Sequence, residues 1–91
     1  MTDTSSGPKV EMYYKPFCPF CIRAKALLES KGVEVVEYNA FADADHRAEM
    51  LQRSNGGRTY PQIFIGGEHV GGSDDLHALD RAGKLDPMLA R

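Results

Sequence analysis

Lys15-Pro16-Phe17-Cys18-Pro19-Phe20-Cys21 is the stretch on which the reading of this chain turns. Before it, Lys9-Val10-Glu11-Met12-Tyr13-Tyr14 alternates and is aromatic-rich, the pattern of a short strand. After it, a helical pattern runs from Pro19 to Lys31, with Ile22, Ala26 and Leu27 expected on its inner face. Cys18 stands where an N-cap stands, and Pro19 at the first helical position, where a missing N–H costs nothing. Gly32 is the natural stop. Cysteines at i and i+3 in the first turn point the same way, close enough to bond. The first faces N–H groups that have no partner within the helix, and these favour a thiolate, the form that attacks a disulfide sulfur. Cys18 is thus expected to be the exposed nucleophile, and Cys21, one turn further in, the less exposed resolving thiol.

The cysteine count supports chemistry over scaffolding. A secreted disulfide framework of this size usually carries four or more dispersed cysteines, whereas this chain has 2. A structural bond closing so small a loop would remove little chain entropy. Half of a zinc site and two inert buried cysteines are the other readings; zinc would need further ligands, and His46, His69 and His77 show no recognised pairing with the motif, so no metal is expected. The 91 residues suffice for one domain and not two, and 42% hydrophobic content allows a single modest core. Residues 1–8 read as a disordered tail and 9–91 as the domain. The opening Met1-Thr2-Asp3-Thr4-Ser5-Ser6-Gly7 lacks the pattern of a secretory signal, so a cytoplasmic location is expected. A formal net charge of −2 gives no general attraction to nucleic acid or an anionic membrane.

Further along, Val33–Tyr38 is β-branched and reads as a second strand. Asp43 or Asp45 opens a second helix, which Asn55-Gly56-Gly57 stops. Gln62–Ile65 and Glu68–Val70 read as two strands joined by Gly66-Gly67, a pair suited to a two-residue hairpin. Gly71-Gly72-Ser73-Asp74-Asp75 leads into a third helix with Leu76 and Leu79 inward, and Gly83 ends it. The expected order is βαβαββα: an α/β fold with a mixed four-stranded sheet, three main helices and a short closing segment at Leu85–Leu89. Strands separated by helices are expected to pair in parallel, and the Gly-Gly hairpin to add an antiparallel edge.

Three segments together resemble the dithiol glutaredoxins, most closely the bacterial glutaredoxin-C group: Lys15–Cys21, Thr59-Tyr60-Pro61-Gln62-Ile63-Phe64-Ile65, and Gly71–Leu76. The resemblance implies a thioredoxin-like fold with Pro61 after a cis peptide bond, facing the Cys18 sulfur. It implies a glutathione-dependent oxidoreductase that reduces glutathione mixed disulfides and protein disulfides, with glutathione as co-substrate, no tightly bound cofactor and a monomeric state. Its glutathione site maps to the backbone of Tyr60 with Thr59 beside it, and to Gly72, Ser73 and Asp74 for the γ-glutamyl end. A helix start suits a carboxylate there, and the Asp74 carboxylate suits the α-ammonium. Lys15 matches the lysine for the glycyl carboxylate, Arg47 is a second candidate, and Phe20 forms an apolar rim. The chain departs from the family's usual pattern at Tyr60, where Val is common, and at Gly57, where a basic residue is common. Two other functions fit parts of the pattern: a donor reduced by thioredoxin reductase, and an iron–sulfur carrier holding a cluster through Cys18 and glutathione.

Overall fold

The computed structural model describes residues 7–90, so residues 1–6 of the expected tail lie outside it. Its elements run β1 (Val10–Tyr14), α1 (Pro19–Ser30), β2 (Val35–Asn39), α2 (Ala44–Arg53), β3 (Gln62–Ile65), β4 (Glu68–Gly71), α3 (Ser73–Arg81) and α4 (Leu85–Leu89). The closing segment is thus a short fourth helix. The strands form one mixed sheet in the order β2-β1-β3-β4. β1 and β2 are parallel across the α1 crossover, and β3–β4 is an antiparallel hairpin. Gly66 and Gly67 turn that hairpin at φ values of 60° and 85°, the left-handed pair that a tight hairpin turn requires.

Three expectations need correction. β2 begins at Val35 rather than Val33, because the parallel register starts where Val35 meets Val10. β3 follows a helix yet runs antiparallel to β1. The loop from 54 to 61 explains this: eight residues reach roughly 27 Å when extended, enough to carry the chain back along α2 and enter the sheet from the other end. The inner face of α1 consists of Cys21, Ala24 and Leu28, with Leu27 packed against it, whereas Ile22 is 64% exposed and Ala26 is exposed too.

Strand alternation divides the interior in two. Val10, Met12, Ile63 and Ile65 point to one face, where they pack with Cys18, Cys21, Ala24 and Leu28, with Leu76 of α3, and with Leu85 and Leu89 of α4. Tyr13 and Phe64 point to the other face, with Ala40 and Met50 of α2. Arg53 also reaches across this second face. It donates to both carboxylate oxygens of Glu11 at 3.1 and 2.9 Å and to the Tyr13 hydroxyl at 2.8 Å, and lies 4.1 Å from the Phe64 ring centre. The Tyr38 hydroxyl donates to Glu11 as well, at 2.9 Å. Just beyond α1, Lys31 pairs with Asp80 of α3 at 2.7 Å and Asp86 of α4 at 2.9 Å.

Candidate active site

β1 delivers the chain through Lys15-Pro16-Phe17 to the start of α1. Cys18 takes the N-cap position with extended backbone, and its sulfur accepts the Cys21 N–H at 3.3 Å. An unpaired helix donor therefore meets the first sulfur, as the spacing predicted. The exposure differs from expectation: both cysteines are 4% exposed. Cys18 is covered because its side chain folds back over the first turn, where its sulfur stands 4.0 Å from the Tyr60 carbonyl oxygen. What distinguishes the two is their surroundings. Burial first, and then the neighbouring Cys18 sulfur, push the Cys21 thiol up to about 12, with the backbone and charge of Lys15 opposing in part. At neutral pH Cys21 is a protonated thiol, suited to act second.

Two hollows flank this turn. A groove of about 420 Å³ is lined by Phe20, Thr59, Tyr60, Gly72, Ser73 and Asp74, six of the residues that the sequence picked out. Tyr60-Pro61 is the cis peptide bond of the described chain, and Pro61 is buried beside the start of α3, with its carbonyl near Gly72. Ser73 is the first residue of α3, Gly72 its N-cap, and the Asp75 carboxylate accepts the Gly72 N–H at 3.0 Å. A smaller cavity of about 170 Å³ on the other side is lined by both cysteines together with Lys15, Phe17, Ile22 and Lys25. The Lys15 ammonium lies 5.8 Å from the Tyr60 ring centre, a cation–π contact across the rim between the two hollows. Arg47 is placed elsewhere: its guanidinium donates to the carbonyls of Ala40 and Phe41 at 3.3 and 2.9 Å, and it lines neither hollow.

Five more residues line the groove that were not among the expected site residues: Gly57, Gln62, His69, Gly71 and Asp75. Gln62 sat in the quoted Pro61-Gln62 segment, and its polar amide inside a four-residue apolar strand was the available signal. Among the described residues, no group of three or more His, Cys, Asp or Glu side chains is placed to hold a metal ion, and no helix is long and apolar enough to cross a membrane.

This strand order, with two cysteines in the first turn of the helix after β1 and the first sulfur beside the Tyr60 carbonyl, defines a thioredoxin-like thiol–disulfide oxidoreductase. The family description Glutaredoxin matches residues 10–70, and the chain belongs to the glutaredoxin family. It is 56% identical over 80 residues to glutaredoxin 3 of Escherichia coli, a match covering 88% of this chain and 95% of that one. The solution structure of glutaredoxin from Brucella melitensis superposes with a TM-score of 0.78 at 55% identity, covering 92% of this chain and 90% of that one. A buckwheat glutaredoxin solved as a complex with glutathione superposes with a TM-score of 0.79 at 34% identity, covering 90% and 76%.

Proposed function

We propose that this protein reduces glutathione mixed disulfides and protein disulfides at the expense of glutathione, with Cys18 as nucleophile and Cys21 as resolving thiol. The observation that carries the reading is the Cys18 sulfur, held by the Cys21 N–H at 3.3 Å and lying 4.0 Å from the Tyr60 carbonyl on the wall of the groove. The groove's volume lies in the range of small-ligand sites. Its polar positions suit an extended tripeptide with a carboxylate at each end. The Tyr60 backbone would pair with the cysteinyl residue. Free N–H groups at the start of α3 would take the α-carboxylate, and Asp74 the α-ammonium. Lys15 would meet the glycyl carboxylate, while Phe20 walls the path.

With a glutathionylated protein, the Cys18 thiolate attacks the glutathione sulfur and the protein leaves as a thiolate. A second glutathione thiolate then attacks the Cys18–glutathione bond, releasing oxidised glutathione and the Cys18 thiolate. With a protein disulfide, Cys18 forms a mixed disulfide with one sulfur. Cys21 loses its proton as it attacks Cys18, the reduced protein departs, and two glutathiones reopen the Cys18–Cys21 bond. The same reading takes residues 9–91 as one domain, acting as a monomer in the cytoplasm, where reducing conditions return the dithiol after each cycle.

The test is glutathione-dependent turnover of a small glutathione mixed disulfide and of a protein disulfide. Cys18→Ser is expected to bring both to background. Cys21→Ser is expected to keep the first and lose most of the second. A Cys21→Ser protein dead in both assays, beside an active Cys18→Ser, would reverse the assignment.

A further inference from the structure

We infer that His69 is a positioning residue of the groove: through Gln62 it fixes Thr59 at the groove's edge, and so sets the affinity for glutathione. The inference rests on reading the groove as the glutathione site. Gln62 is 4% exposed, so each end of its side-chain amide needs a partner. Its Nε2 donates to the Thr59 carbonyl at 3.0 Å and to the Thr59 hydroxyl at 3.1 Å. A carbonyl can only accept, which fixes this end of the amide as the nitrogen and the opposite end as the acceptor Oε1. His69 Nε2 stands 2.6 Å from that oxygen, so the imidazole carries a proton on Nε2 and donates it.

The rest of the surroundings hold the chain of bonds in place. Phe64 stacks on the His69 ring, with centres 5.0 Å apart and planes 29° apart. On the other side Gly57 lets the backbone come close: a Cβ there would meet Ser54 Oγ at 2.7 Å and Gln62 Nε2 at 3.0 Å. The amide is therefore enclosed by backbone on one side and held at its oxygen by an imidazole on the other. Thr59, Gln62 and His69 all line the same groove. Take away the imidazole, and Oε1 loses its donor, so the amide is anchored at one end only. Thr59 then loses the donor that holds both its carbonyl and its hydroxyl, one residue from the Tyr60 backbone on which glutathione would pair.

His69→Phe keeps a ring to stack on Phe64 and removes the donor. It is expected to raise KM for a glutathione mixed disulfide by about three- to tenfold, the size of one hydrogen bond acting through a neighbour, with a smaller change in kcat. Gln62→Met is expected to raise KM at least as much, and His69→Phe/Gln62→Met to match Gln62→Met alone. An unchanged KM in His69→Phe, or effects that multiply in the double variant, would overturn the role. Nitrogen NMR of the imidazole gives a readout free of substrate: a proton is expected on Nε2, and an Nε2 without one would overturn the bond's direction. If the parent protein fails to turn over any glutathione disulfide, the proposed function fails. Turnover by the parent with His69→Phe at parental KM fails this inference alone.

Discussion

On one face of the sheet, the side chains of β1 and β3 meet α1, α3 and α4 through the apolar side chains of Leu28, Leu76, Leu85 and Leu89. On the other, Glu11, Tyr13, Gln62 and Phe64 meet a single helix and the two edge strands through Arg53, two hydroxyls and an imidazole. The first face holds both cysteines, and the second holds the bonds that orient the groove's edge. Apolar packing is undirected and supplies cohesion. Hydrogen-bonded ion pairs add little net stability, but lose a great deal when only one member is removed. The two faces should therefore break in different ways.

The largest expected effect is on the apolar face. Leu28 is fully buried, and Leu28→Ala is expected to cost about 3 kcal/mol by urea unfolding, from lost transfer energy and the cavity left behind. A cost below about 1 kcal/mol would mean that this face is loosely packed. Next comes the polar face, where the side chains of Arg53 and Glu11 are 28% and 10% exposed. Arg53→Met strands the Glu11 carboxylate and is expected to cost about 2 kcal/mol, a value reduced for partial exposure. Glu11→Leu/Arg53→Met is expected to recover most of that loss, and a double variant as unstable as the single would remove the contrast between the faces.

The smallest effect shows only away from neutrality. The hydrogen bond from Arg53 chiefly, opposed by burial, holds the Glu11 carboxyl below its ordinary value of 4.5. Its contribution to stability is complete above that value and is lost as pH falls through the lower, folded value. Tyr13 mirrors it: burial and the Glu49 carboxylate raise its hydroxyl from 10.0 to about 12, so its contribution is complete below 10 and is lost as pH rises through about 12. Glu11→Gln should flatten the acid limb of stability against pH and leave the alkaline limb as it was. An unchanged acid limb would place the acid sensitivity in other carboxylates.

The apolar face was the more legible in the sequence, though not throughout. Element order, the hairpin glycines and the N-cap cysteine all follow from local patterns. The inner stripe of α1 did not, because Ile22 and Phe20 add exposed apolar residues to the first turn, 64% and 51% exposed, and blur the helical period. Of the site, Phe20, Thr59, Tyr60, Gly72, Ser73 and Asp74 converge on one groove, while Arg47 caps loop carbonyls instead. The Gln62–His69 bond was hidden for a physical reason. It is a diagonal contact between strands: Phe64 is the residue that faces His69, Gln62 lies two positions back along β3, and a register shift falls between Ile63 and Phe64. No composition or period records a one-residue bulge.

The Lys31 ion pairs have a mechanical consequence. α1 and α3 both present their first turns to the groove, with Phe20 on one and Ser73 on the other, and Lys31 ties their far ends together through Asp80. The two helices are struts rising from a common foot. A rotation of about 5° at that foot would swing the tip of a strut some 18 Å long by roughly 1.5 Å, half the length of a hydrogen bond. A change of angle where this lysine bridges three helices would thus reach the groove as a change in the spacing of its walls.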